Sequence, residues 1–150
     1  MRREFTYPVT ITPAAEHAPG ETGFVVTFPD LPEAITQGES REDALREAAD
    51  CLEEAIANRT RRRMEIPMPS PVEPGADVVS VGATVAVKAA LAAAMREAGV
   101  NNVGLACVLG KDEKEVRRLL DPAHASKLGA IEDALRPLGK RVRIVIEDAA

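Results

Sequence analysis

Residues able to do chemistry are few in this 150-residue chain and poorly spaced for catalysis. Metal-dependent cleavage of a phosphodiester needs several carboxylates converging on magnesium. The first strand-like stretch, Phe5 to Thr12, contains no Asp or Glu, and Asp30 and Glu33 stand among prolines, where Asp30 suits a turn. His17 lies between loop-forming residues with no Ser or Cys partner nearby, so it reads as a solvated imidazole. His124 opens a helix, where it suits a cap or a phosphate contact. HExxH, GxSxG and a Gly-rich phosphate loop are all absent from the sequence. Cys51 and Cys107 have neither CxxC nor paired-His spacing, which argues against zinc and disulfides and suits a reducing cytoplasm. The chain reads as a non-enzyme with no cofactor and no metal. What remains is a group of cations: Lys111, Lys114, Arg117, Arg118 and Lys127. Such side chains grip phosphates and donate to guanine edges in a major groove.

To act together, these cations must share one face of a folded element, and the helix signals around them supply it. Apolar residues at Val87, Leu91, Ala94, Met95 and Ala98 predict a helix over 84–98, stopped by Gly99. A short helix follows from about Asn102 to Leu109, capped by Asn101 or Asn102 and closed by Gly110. The next opens after Asp112; Glu115 has capping-box spacing and reads as a backbone cap rather than a base reader. Its buried stripe is Val116, Leu119 and Leu120. A fourth helix, Lys127 to Leu138, buries Leu128, Ile131, Leu135 and Leu138. Helix, short helix, Gly turn and helix make the helix-turn-helix pattern, which frees the polar side of 113–118 for DNA. A small helical bundle of another purpose shares this pattern. Arg141 to Ile146 then alternates like a strand with one apolar face, an element that needs a partner edge and predicts pairing of two copies through Arg141, Val142, Ile144 and Ile146.

Upstream the chain changes character. Phe5–Thr12, Gly23–Phe28 and a short third stretch, Ala34–Gln37, read as strands. Ser40 caps a helix whose Ala44, Leu45, Ala48, Leu52, Ala55 and Ile56 lie on one face. It ends in Arg59-Thr60-Arg61-Arg62-Arg63, either a solvated terminus matched to the helix dipole or a contact for phosphate or an acidic partner. Residues 67–75 hold four prolines and read as an extended connector, dividing the chain into 1–75 and 76–150. The charge divides too: residues 1–75 carry net −6 with no lysine, and residues 76–150 carry +1. An acidic front repels nucleic acid and attracts a basic partner, while the rear tolerates a polyanion. Aromatics stop at Phe28, so base-stacking recognition of single strands lacks its material. No apolar run approaches the ~18 residues a membrane span requires, and Met1-Arg2-Arg3 meets Glu4 rather than an apolar signal core.

Several stretches together resemble the HicB-type antitoxins of bacterial toxin–antitoxin modules. Tyr7-Pro8-Val9, the run Gly23 to Ala34, Thr36-Gln37-Gly38, Ala44-Leu45 and Ile66 to Pro71 are similar to that family's first domain. Arg117-Arg118-Leu119-Leu120-Asp121, His124-Ala125, Lys127 and Ala134 to Arg141 are similar to its helix-turn-helix second domain. The resemblance implies an α+β chain: a small partial ribonuclease-H-like sheet-plus-helix domain, then an all-α helix-turn-helix domain with a C-terminal strand. It implies a first domain that neutralises a HicA-type RNA-cleaving toxin, with Phe24, Phe28, Asp30, Arg61 and Arg62 as the contact candidates. The second domain would bind operator double-stranded DNA through Asn102, Lys111, Lys114, Arg117, Arg118 and Lys127, repress its own promoter, and form a homodimer or higher homo-oligomer. One departure weakens the DNA expectation: the helix Asn102-Val103-Gly104-Leu105-Ala106-Cys107-Val108 is apolar where polar residues are expected, and Gly104 costs roughly 1 kcal/mol of helix propensity. Two rival readings stand beside it: a ligand-responsive helix-turn-helix regulator without a toxin, and a degenerate ribonuclease-H-like nuclease.

Overall fold

β-branched and aromatic residues at the front pair into antiparallel ladders in the computed structural model, which describes residues 1–148. The stretch Phe5–Thr12 forms two strands, β1 (Thr6–Pro8) and β2 (Thr10–Pro13), broken at Val9, whose amide donates to the Asp77 carbonyl at 3.0 Å. β2 pairs with β3 (Phe24–Phe28), and β3 with β4 (Leu31–Gly38), giving the order β2-β3-β4. Pro29-Asp30 connects Phe28 to its partner Leu31. β4 is eight residues long, not the short Ala34–Gln37 stretch expected. Pro32 is accommodated because the register shifts between Phe28↔Leu31 and Thr27↔Ile35, and proline is tolerated at such an irregularity.

α1 (Arg41–Arg61) covers the sheet with buried Ala44, Ala48, Leu52, Ala55 and Ile56. Ser40 accepts from the Asp43 amide at 3.0 Å, and the Asp43 carboxylate accepts from the Glu39 amide at 2.9 Å, so the start of the helix is capped as its sequence predicts. Gly38 lets sheet and helix approach: a Cβ there would lie 2.5 Å from the Ala44 Cα and closer still to its amide nitrogen.

The proline-rich connector forms no helix or strand, and it is fastened to the sheet. Tyr7 Oη donates to the Pro67 carbonyl at 2.8 Å, and the Ser70 amide donates to Asp30 at 2.9 Å. After it, β5 (Val78–Ser80) returns to pair antiparallel with β1. α2 (Ala83–Ala98) follows with two apolar stripes on opposite sides. Val85, Ala89 and Ala93 join the front core, while Leu91, Ala94 and Met95 join the rear one. The chain was expected to divide after Gly75, yet the packing changes over within α2, because β5 and the first half of that helix complete the front core.

The rear core gathers α3 (Asn102–Leu109), α4 (Glu113–Leu120) and α5 (Leu128–Leu135) around Leu91, Met95, Leu105, Val116 and Ile131. Gly110 adopts φ 65°, the left-handed conformation that lets the chain turn sharply between α3 and α4. α5 stops at Leu135 and continues as a 3-10 turn, Arg136–Leu138, because Pro137 cannot extend the α-helical ladder. Leu128, expected inside, is 40% exposed at the first helical position. Residues 141–146 form no strand. Val142 packs on the rear core, but Ile144 is 65% and Ile146 90% exposed. A strand requires a neighbouring edge, and the single chain presents none to this segment.

Candidate functional site

α4 is built to expose its cations. Asp112 caps it, accepting from the Glu115 amide at 2.9 Å, while Glu115 Oε2 accepts from the Asp112 amide at 3.2 Å; Glu115 is the backbone cap its spacing predicts. Burial of Val116, Leu119 and Leu120 turns Lys114, Arg117 and Arg118 outward. Arg117 does not stand free: its Nε and Nη2 donate to the Glu113 carboxylate at 3.1 and 2.6 Å. This one-turn pair holds the Glu113 carboxyl below its ordinary range and raises the Arg117 guanidinium, the hydrogen bond being the largest cause of each. Arg117 thus has to exchange Glu113 for any nucleic-acid partner.

Beside α4, a shallow cleft between α4 and α5 brings together Lys111, Arg118, His124 and Lys127, with Glu115 the one acid on its rim. Three cations and a histidine drawn from three segments give this surface a positive charge. α3, in contrast, presents Val103 and Val108, each 65% exposed, and an exposed Cys107.

Asn102 goes elsewhere. Its Oδ1 accepts from Arg63 Nη2 at 2.6 Å, tying the start of α3 to the chain just beyond α1 and removing that acceptor from the cationic face. Arg63 is the one non-glycine residue with positive φ among the described residues, at 57°. Its guanidinium sits below the ordinary arginine value because burial disfavours the charge. Further polar links run along the same seam. Arg3 donates to the Ile66 carbonyl at 2.8 Å and to Glu97 at 2.9 Å, and Lys140 meets Glu97 at 3.0 Å. The two cations hold the Glu97 carboxyl below its usual range, Lys140 contributing most.

The front candidates separate on inspection. Phe28 is 2% exposed and fills the core, so it presents no surface in this conformation; Phe24 is half-buried against the same core. Both carboxylate oxygens of Asp30 bind Ser70, as amide and hydroxyl. Arg59, within the basic run, is paired with Glu33 at 2.5 Å, which depresses the Glu33 carboxyl. Arg61 pairs with Glu54 at 2.8 Å, and Arg62 is exposed. Outside the candidates, Ile35 is 61% exposed on β4, the terminal strand of its sheet. Two features combine there, an edge that pairs with no further strand among the described residues and an exposed apolar side chain, and neither the edge nor the exposure is legible before the strand order is known.

A family profile described as "HicB_like antitoxin of bacterial toxin-antitoxin system" matches residues 6–90, the front core and its share of α2. The chain belongs to the HicB-like antitoxin family. Relatives extend the similarity through the rear helices. Antitoxin HicB 2 of Photorhabdus laumondii subsp. laumondii is 39% identical over 145 residues, 97% of this chain and 99% of that protein. Antitoxin HicB of Escherichia coli K12 is 36% identical over 140 residues, covering 93% and 98%. Antitoxin HicB of Pseudomonas fluorescens Pf0-1 is 35% identical over 121 residues, covering 80% and 83%. The protein is therefore an antitoxin by family, with an α+β fold and a toxin as the expected class of partner.

Proposed function

We propose that this HicB-like antitoxin neutralises a HicA-type RNA-cleaving toxin through its front unit and represses its own operon through its rear unit. A protein that grips RNA must carry positive charge, and the antitoxin's first 75 residues carry net −6, so electrostatics favours their encounter. The toxin surface is assigned to the exposed part of α1 around Asp50, to Arg62 at its C-terminal cap, and to the outer edge of β4 around Ile35. An extended segment of the toxin can pair with that edge while Ile35 adds apolar contact. Phe24 contributes at its exposed rim, whereas Arg61 is engaged with Glu54 and Asp30 serves the connector.

The observation that carries the DNA half is the basic face of α4 and the adjoining cleft, with Lys111, Lys114, Arg117, Arg118 and Lys127 exposed together. Lys114 and Arg117 face the groove, and the cleft cations take the flanking phosphates. A homodimer supplies two such faces to a palindromic site, with residues 141–146 pairing between copies. The protein has no catalytic step of its own in this reading, and it works in the cytoplasm, where toxin and operon both reside.

Two measurements on the full chain test this. Co-expression should restore growth of cells making a HicA-type toxin. Purified antitoxin should bind DNA upstream of its gene, with affinity falling steeply as salt rises. Neutralisation of the toxin without any salt-dependent DNA binding would retain the antitoxin and remove the repressor; the reverse result would remove the toxin partner.

A further inference from the structure

Lys88 is the one fully buried charged side chain among the described residues, with 0% exposure on α2. A buried ammonium is costly unless each proton finds an acceptor. Here all three do: Nζ donates to the Arg118 carbonyl at 3.0 Å, the Asp121 carbonyl at 2.8 Å and Ser126 Oγ at 2.9 Å. The acceptors lie at the end of α4 and in the turn leading to α5. The last carbonyls of a helix lack partners within it and carry the negative end of its dipole. Each of the two carbonyls also accepts a backbone amide, Arg118 O from Asp121 at 3.3 Å and Asp121 O from His124 at 3.0 Å. One cation from a third helix adds a charge-assisted bond to both, which fixes where α4 ends relative to α5.

We propose that Lys88 is the positioning residue for DNA reading: by clasping the carbonyls of Arg118 and Asp121 together with Ser126, it sets the angle at which α4 presents Lys114 and Arg117 and the spacing of the cleft side chains Arg118, His124 and Lys127. This rests on the reading of α4 as the DNA-facing helix. Lys88 itself touches no nucleic acid. Its neighbours in chain show why the role belongs to it alone: Val87 and Ala89 have no donor to offer, and Ser126, the other polar side chain in the cluster, already gives its hydroxyl hydrogen toward Arg118 O at 3.3 Å. The clasp joins residues 30 to 38 positions apart, so it forms only when α2 and the α4–α5 corner are packed together.

Lys88→Met keeps the length of the stem and removes the charge and all three donors. In the DNA-free full chain, amide exchange should quicken across residues 117–131 and stay unchanged in β2–β4 and α1. Specific operator affinity should fall on the order of 10- to 100-fold, the loss expected when one base-reading side chain leaves its register, while affinity for unrelated DNA changes less than about threefold. Toxin binding should stay intact. A merely stabilising lysine would lower the unfolding midpoint and leave the folded variant's ratio of specific to non-specific binding untouched; that result, or unchanged exchange at 117–131, overturns the proposal. If Lys88→Met does not fold, Ser126→Ala removes one of the three acceptors, and a specificity ratio equal to that of the parent would overturn it equally. If the parent chain binds no operator, the reading of α4 fails, and the exchange measurement still decides whether Lys88 pins the corner.

Discussion

Absorbance at high pH follows a single chromophore in the front unit, because Tyr7 is the only tyrosine and the chain has no tryptophan. Tyr7 is fully buried, and its hydroxyl donates to the Pro67 carbonyl at 2.8 Å. Burial is the largest cause that pushes its pKa up to about 12, opposed by Arg3 and aided by Asp30. The unfolded chain loses this proton near 10, the folded chain only near 12. Between those values the folded state binds more protons than the unfolded one, so stability is fully present below pH 10 and is lost as pH rises toward 12. Tyrosinate absorbance followed with circular dichroism should therefore show no phenolate in folded protein near pH 10, and then phenolate appearing together with loss of structure. Tyr7→Phe removes the bond to Pro67 while keeping the ring in the core. One hydrogen bond contributes about 0.5–1.5 kcal/mol net, and the half-exposed Pro67 can be rehydrated, so a loss of about 1 kcal/mol is expected in urea unfolding. The same variant should expose the connector to proteases. Phenolate forming near 10 in protein that keeps its structure would refute the burial argument, and a neutral Tyr7→Phe would refute the anchoring of the connector.

Three further outcomes follow from the geometry. Gly38→Ala forces a Cβ into the backbone of Ala44 and should cost about 3 kcal/mol, the upper end for overpacking, whereas Gly129→Ala, with open space around it, should be neutral or slightly stabilising; thermal unfolding separates the two. Glu113→Gln releases Arg117 and should tighten operator binding about twofold, while Arg117→Ala should weaken it about 5- to 100-fold with toxin neutralisation unchanged, as gel-shift titration at fixed salt would record. Deleting residues 140–150 should leave monomers with poor operator affinity; a truncated chain that stays dimeric by light scattering removes the pairing role of Val142, Ile144 and Ile146.

Local signals in the chain were readable and long-range ones were not. Ser40, Asn101 and the Asp112–Glu115 box mark helix starts because a cap needs only its own next few amides. The stripe Val116, Leu119 and Leu120 is legible for a similar reason: period 3.6 places those side chains together in any helix. Partners distant in sequence have no such signature. Asp30 and Ser70 lie 40 positions apart, and Arg63 and Asn102 lie 39 apart, so no short-range pattern shows that the turn former Asp30 also holds Ser70 or that Asn102 accepts from Arg63. Lys88 sits in an alanine-rich helix with no local signal of burial, and only the approach of the α4–α5 corner explains it. The proline connector misled in the opposite sense. Four prolines do mark an extended segment, but composition cannot say that the strand after them turns back onto β1.

The shared helix α2 limits how this antitoxin can be recombined. A chimera joined at the prolines would strip Val79, Val81, Val85 and Ala89 from the interior they complete and leave an open apolar trough on one half and a greasy helix on the other. A graft that exchanges the rear helices between relatives has to place its seam past Ala93, in the last turn of α2, and the recipient must then supply a lysine equivalent to Lys88, which lies ahead of that seam, if the incoming α4 is to keep its pitch.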